Sequence, residues 1–297
     1  MVITKLKGGL GNQMFQYAAA RGIDKKNQEI IIDSSFLDNN SISTENFTAK
    51  TFELSIFNKV RIKDWSGINK DRAGKSGVFY SFIKQKLLDL TLKKIVQQEN
   101  EYVEGLHKLS GNISMDGYFQ SEKYFVDKRE QLLTEFAFPP IDEKNAKLRD
   151  IIRKEINPVS VHIRRGDYLK PLVLSYLGLL PMSYYKKAIA RMKTELNEPI
   201  FYFFSDDPDW CKDNFTFLGE KAVIVEGNPG TVAWKDMYLM SQFKHHIIAN
   251  SSFSWWGAWL SQQKGINMAP YKWFNPETAK FNIHDFVPEL WKIVEYE

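Results

Sequence analysis

The chain has 297 residues, 43% hydrophobic and 26% charged, with a formal net charge of +4 from 40 basic and 36 acidic residues. This composition excludes a disordered chain, and the length suffices for two ordinary domains with full cores or one large one. So small a charge surplus does not imply nucleic acid, although it accommodates a local anion site.

The N-terminal "VITKL" (2–6) reads as a strand, "KGGLGNQ" (7–13) as a glycine-rich turn, "QMFQYAAARGI" (13–23) as a helix and "EIIIDSS" (29–35) as a second strand. This β-α-β pattern opens a doubly wound domain. The glycines arrive too early for the apolar region of a signal peptide, so the expected location is the cytoplasm. The lone Cys211 agrees with a reducing compartment and excludes an intrachain disulfide and a cysteine-based zinc site. Residues 39–100 are more polar and less regular. Within them "DRAGKSGVF" (71–79) reads as a loop and "SFIKQKLLDLTLKKIVQQ" (81–98) as an amphipathic, basic helix, which in the segment 81–97 offers a peripheral membrane contact as well as an ordinary solvated face. "AGKSG" imitates a P-loop, but Asn69 stands where its first glycine belongs and no strand precedes it.

The second half alternates more regularly. Strands are expected at "PVSVHI" (158–163), "PIFYFFSDD" (199–207), "AVIVEG" (222–227), "HHIIANSS" (245–252) and "INMAP" (266–270). Helices are expected at "PMSYYKKAIARMKTEL" (181–196), "PDWCKDNF" (208–215), "TVAWKDMYLMSQF" (231–243) and "FSWWGAWLSQQ" (253–263). Such alternation predicts parallel sheets covered by helices. The expected organisation is α/β, with two Rossmann-type doubly wound domains, 1–155 and 156–297, facing across a cleft where a ligand binds.

Four stretches can carry chemistry. In "VHIRRGDY" (161–168) a strand delivers Arg164 and Arg165 to the mouth of a parallel sheet, where paired guanidiniums call for an anion such as a diphosphate. Asp167 can steady one arginine and His162 can donate to a ribose, phosphate or base; a surface ion-pair cluster around a core histidine explains the same residues. The glycine turn offers backbone N–H groups to an anion or sugar, but Met14 replaces the third glycine of the dinucleotide fingerprint. "NSSFSWW" (250–256) sets hydroxyls at a helix start, suiting phosphate binding or simple capping, and its tryptophans are expected between the domains. Asp207 and Asp209 form a D-x-D that serves either a divalent metal or a helix cap.

Taken in order, "GGLGNQMFQYA" (8–18), "GYFQSEKYF" (117–125), "VHIRRGDY", "FSDD" (204–207) and "NSSFSWWGAWL" (250–260) resemble the motifs of the α-1,2-fucosyltransferases, glycosyltransferase family eleven. The resemblance implies a GT-B-like, inverting enzyme that needs no metal or other cofactor. It would move L-fucose from GDP-β-L-fucose to the 2-hydroxyl of a terminal galactose, in O-antigen or capsule synthesis. On this resemblance Arg164, Arg165 and Asp167 are catalytic. Asn12, Gln13, His162, Asp236, Ser252 and Ser254 bind the donor, Asp236 through guanine, with the donor on the C-terminal domain and the acceptor on the N-terminal one. Animal relatives carry an N-terminal membrane anchor, so the expected partners are GDP-fucose and a galactose-terminated glycan, soluble or lipid-linked, at the inner face of a membrane. No general base is assigned; Asp33, Asp116 and Asp167 qualify by position. A different linkage or acceptor, or a non-catalytic nucleotide- or glycan-binding module, are the alternatives.

Overall fold

The computed structural model describes residues 1–65 and 91–297. The chain divides into two compact units, the first comprising 1–43 and 49–139 and the second 44–48 and 140–297.

The first unit carries β1 (Val2–Lys5), α1 (Leu10–Ile23), β2 (Ile30–Asp33), α2 (Ser35–Asn39), β3 (Ile62–Asp64), β4 (Leu92–Val96), β5 (Asn112–Asp116) and α3 (Arg129–Glu135). Among the described residues its five strands lie in the order β3-β2-β1-β5-β4, all parallel. Helix α1 is buried almost all round, which explains its alanine-rich, weakly amphipathic sequence. Arg21 is 1% exposed on this helix, and its charge is met by Glu135 at 3.1 Å and Asp24 at 3.2 Å. Tyr17 donates to Glu135 at 2.7 Å, and Arg21 also donates to the carbonyl of Arg61. One buried guanidinium thereby joins α1, α3 and the loop before β3.

The second unit carries α4 (Glu143–Ile152), β6 (Pro158–Ile163), α5 (Pro171–Leu177), α6 (Met182–Glu195), β7 (Ile200–Ser205), α7 (Pro208–Asn214), β8 (Ala222–Val225), α8 (Trp234–Met240), β9 (His245–Ile247), α9 (Ser252–Trp259), β10 (Asn267–Pro270), α10 (Ile283–Phe286) and β11 (Lys292–Val294). Its six parallel strands run β11-β10-β9-β6-β7-β8. Counted from β6, that is the 3-2-1-4-5-6 order of a Rossmann sheet, with its switch point between β6 and β9. Both units are thus the parallel α/β layers of the GT-B-like class that the sequence implied.

Two expectations change. The break expected after residue 155 falls after Pro139. Helix α4, which lies before that expected break, belongs to the second unit because Lys144, Asn145 and Asp142 bond to Glu226, Asn228 and Lys235 respectively. The expected basic helix is a parallel strand over Leu92–Val96, register-paired with β5. Its residues 81–90, the loop at 71–79 and the P-loop imitation all lie outside the described residues. Among the described residues no helix is long and apolar enough to cross a membrane.

Candidate active site

Strand β6 is buried along its whole length and pairs with β7 on one side and β9 on the other. Residues leaving the carboxyl ends of these three strands therefore converge beside the switch point. Arg164 and Arg165 follow β6, Asp206 and Asp207 follow β7, and Asn250 to Ser252 follow β9.

The arginine pair is met by the protein's own carboxylates, as the expected role of Asp167 and the ion-pair reading of this stretch both allow. Arg164 places Nη2 2.5 Å from Asp167 and Nη1 2.8 Å from Asp206. Arg165 donates from Nε to Asp207 at 2.8 Å, and its guanidinium lies 4.4 Å from the ring centre of Trp210. Asp206 also accepts the backbone N–H of Arg165 at 2.9 Å. A Cβ on Gly166 would stand 2.5 Å from an Asp206 carboxylate oxygen, so only glycine lets that aspartate approach. Arg164 is engaged on both terminal nitrogens, whereas the contacts of Arg165 use its Nε edge and one ring face. Both side chains remain about a quarter exposed, at 25% and 22%. Neither Asp206 nor Trp210 is among the candidate site residues read from the sequence; the signal for Asp206 is that it is the first of two aspartates in "FSDD", of which the cap uses only the second.

Asp207 caps α7 by accepting from the Trp210 N–H at 3.2 Å, and Asp209 pairs with Lys212 at 3.0 Å. The D-x-D is accordingly spent on a cap and two ion pairs. Among the described residues no cluster of His, Cys, Asp or Glu has a metal-site arrangement.

His162 is 4% exposed, its ring centre 5.7 Å from that of Phe253. Burial, reinforced by the Arg164 charge, lowers its pKa to about 3, so the imidazole is neutral. Its Nδ1 has no hydrogen-bond partner within the protein. At the start of α9 the Ser251 hydroxyl accepts from the Phe253 N–H and caps the helix. Ser252 is half-buried at the first helical position, while Ser254 is buried and donates to the Ser251 carbonyl at 3.3 Å. Ser252 thus stays accessible at the helix start, whereas Ser254, half a turn further round the helix, is buried. Asn250 holds the α5 end and the Trp273 segment through carbonyls of Leu177 and Trp273. Trp255, Trp256 and Trp259 pack on one another and on Trp291 within the second unit.

Asp236 opens α8, beyond the end of β8. Burial raises its pKa to about 6, against the lowering effect of an Asn228 hydrogen bond and the Lys144 charge. Asn228 donates to its Oδ1 at 2.7 Å.

The first unit treats its predicted residues differently. Gly8 has φ +72°, a conformation suited to glycine, and Gly9 precedes α1. The first helical N–H, that of Leu10, is taken by Glu53 at 3.0 Å. Gln13 is fully buried, donating to the carbonyls of Gly8 and Thr51 and accepting from the Glu53 N–H. A side chain so engaged braces the loop that precedes α1. Asn12 is half-buried and accepts from Gln120 at 2.7 Å.

The chain thus has two parallel α/β units, and the second carries an arginine pair and a helix start at the switch point of its sheet, an arrangement suited to an anionic ligand. The chain belongs to glycosyl transferase family 11, whose model matches residues 82–294. It is 36% identical to the alpha-1,2-colitosyltransferase of Escherichia coli, across 99% of each chain. It is 33% identical to the O-antigen biosynthesis glycosyltransferase WbnK of Escherichia coli, across 91% of this chain and 93% of that one. Among solved structures it is similar to fucosyltransferase NodZ from Bradyrhizobium, with TM-score 0.43 and 12% identity over 86% of this chain and 91% of that chain.

Proposed function

We propose that the protein transfers L-fucose from GDP-β-L-fucose to the 2-hydroxyl of a terminal galactose, with inversion and without a metal, in the cytoplasmic synthesis of a surface polysaccharide such as O-antigen. The observation that carries this reading is the anchoring of Arg165. Asp207 fixes its Nε and Trp210 covers one face, so its terminal N–H groups are aimed before any ligand arrives. As the bond from fucose C1 to the β-phosphate oxygen breaks, negative charge grows on GDP. A preorganised guanidinium offsets that charge without reorganising. Arg164, tied to Asp167 and Asp206, holds the turn and adds positive potential. The Ser252 end of α9 supplies helix-start N–H groups, and Asp236 accepts from guanine.

The three carboxylates considered as general base are all engaged. Burial favours protonation of Asp116, but Lys7 and Lys5 outweigh it and hold the pKa low. Asp33 accepts from the Ser35 N–H, and Asp167 pairs with Arg164. This favours a largely cationic anomeric centre, attacked by a hydroxyl that needs only a weak base.

The 36% identical colitosyltransferase supports a second donor reading. Colitose is fucose lacking the 3-hydroxyl, so the same phosphate and base contacts would serve a GDP-linked colitose. The deciding experiment offers both donors with a panel of galactosides in EDTA, followed by linkage analysis of the product. The expected product is an α-1,2-linked fucosyl galactoside with equimolar GDP. Exclusive use of the 3-deoxy donor moves the assignment to colitose. Another linkage, or dependence on added metal, overturns the corresponding part of the proposal.

A further inference from the structure

Asp236 is not an isolated carboxylate but the end of a chain of side chains. Asn228 donates from Nδ2 to Asp236 Oδ1 at 2.7 Å and to Asn145 Oδ1 at 2.9 Å. In return Asn145 donates from Nδ2 to Asn228 Oδ1 at 3.1 Å, and also to Asp142 at 2.8 Å. Asp142 caps α4 through the Asn145 N–H and receives Lys235 at 2.7 Å. The two asparagines are 4% and 7% exposed. Every polar atom of the Asn228 amide is thus committed. Rotating that amide by half a turn would set its carbonyl oxygen against the carboxylate, acceptor facing acceptor, at the cost of all three of these hydrogen bonds. Orientation is therefore dictated, and with it the direction in which Asp236 presents its second oxygen.

We propose that Asn228, locked by Asn145, is a specificity-determining positioning residue that fixes Asp236 for the N1–H and 2-amino edge of guanine. The inference rests on the GDP reading above and adds the residues that enforce it. A carboxylate only accepts, so it suits the two donors of guanine. It meets one donor in hypoxanthine, and in adenine it meets the acceptor N1. Asn228 also works on the charge state. Burial pushes Asp236 up to about 6, and the Asn228 hydrogen bond is the leading influence that lowers it, followed by Lys144. The other charges at this spot have partners of their own: Lys144 donates to the Glu226 carbonyl, the Glu226 carboxylate pairs with Lys212, and Lys235 pairs with Asp142. Without Asn228 the carboxyl group would hold its proton to higher pH, and a protonated oxygen no longer accepts from both guanine donors.

The test is calorimetric binding of GDP, IDP and ADP to the full chain, as wild type, Asn228→Ala and Asn145→Ala, between pH 5.5 and 8, with thermal melts to confirm folding. Wild type should prefer GDP to IDP on the order of tenfold or more, the typical value of one hydrogen bond to a charged group, with ADP weaker still. Its GDP affinity should fall as pH drops through about 6. In Asn228→Ala, GDP should weaken roughly tenfold at pH 7 while ADP is unchanged, and the pH midpoint for GDP should move upward. Asn145→Ala should shift both in the same direction but less. Unchanged GDP preference and midpoint in folded Asn228→Ala, or equal weakening of GDP and ADP, overturns the inference while leaving the GDP reading intact. A wild type that binds GDP and ADP alike removes the GDP reading itself, and this inference with it.

Discussion

The two units are built on similar sheets yet place their charges differently. In the first, the guanidinium of Arg21 is sealed in the interior by Glu135 and Asp24, and the amide of Gln13 is consumed by its own loop. In the second, Arg164 and Arg165 stand at the carboxyl edge of the sheet, fixed by three aspartates but still partly open to solvent. Sealed charge joins elements; fixed but accessible charge can meet a ligand. The same residue type is sealed inside one unit and left open to a ligand in the other, according to what lies beyond it.

The sharpest way to break this contrast is to remove one arginine from each unit. Arg21→Ala leaves Glu135 buried without its cation, so urea unfolding should show a loss of about 3–5 kcal/mol, with turnover per folded molecule unchanged. A large fall in turnover in the folded variant would mean that the first unit's interior charge is functional after all. Arg165→Ala should do the opposite, lowering kcat by about 10²–10³-fold with a near-normal unfolding midpoint. Arg165→Lys should recover little, because lysine has no Nε and planar fork for Asp207 and Trp210 to hold. Near-wild-type turnover in Arg165→Ala would defeat the clamp.

A subtler probe leaves both arginines in place. Gly166→Ala forces Asp206 away from Arg164 and the Arg165 N–H. Overpacking of this kind costs roughly 1–3 kcal/mol. If the aspartate preorganises the pair, kcat should fall further than melting temperature predicts; a purely thermal effect would make Asp206 a packing residue.

Acid should also separate the units. His162 and His246 are buried neutral with pKa lowered to about 3, and His245 to about 4, chiefly by burial. Below the unfolded value of about 6.5 the unfolded chain takes up protons that the folded chain refuses, so their stability contribution is full above that value and falls as pH drops towards 4. At pH 5.5 the loss should be about 1 kcal/mol for each fully buried histidine. The first unit's one histidine, His107, is exposed. Hydrogen exchange should therefore show β6 and β9 losing protection on acidification while β1 and β5 keep theirs. Uniform loss across both sheets would contradict the assignment.

Much of this was legible in the residues. The strand at 158–163 and the helix at 181–196 were read almost to their ends, since an unbroken apolar run and a 3.6-residue period are local signals. The strand Leu92–Val96 was not, because "LKKIV" is short, basic and half-exposed, and only pairing with β5 makes it a strand. Site residues divide along the same line. Arg164 and Arg165 follow β6 at the carboxyl edge of the sheet, a position that the strand-then-arginine pattern specifies locally. Gln13 and Ser254 turn inward, which depends on the partners Thr51, Glu53 and the Ser251 carbonyl.

By itself, then, the sequence determined the α/β class, the parallel sheets, the family and the arginine motif, because each is written in near-neighbour patterns of polarity and residue type. Tertiary structure alone decided that the domain break precedes α4, that Asp206 and Asp207 reach back across the sheet to the arginines, and that two asparagines 83 positions apart orient Asp236. Those outcomes rest on contacts between segments distant along the chain, and a hydrogen bond depends on where its two atoms meet in space, not on the number of residues between them.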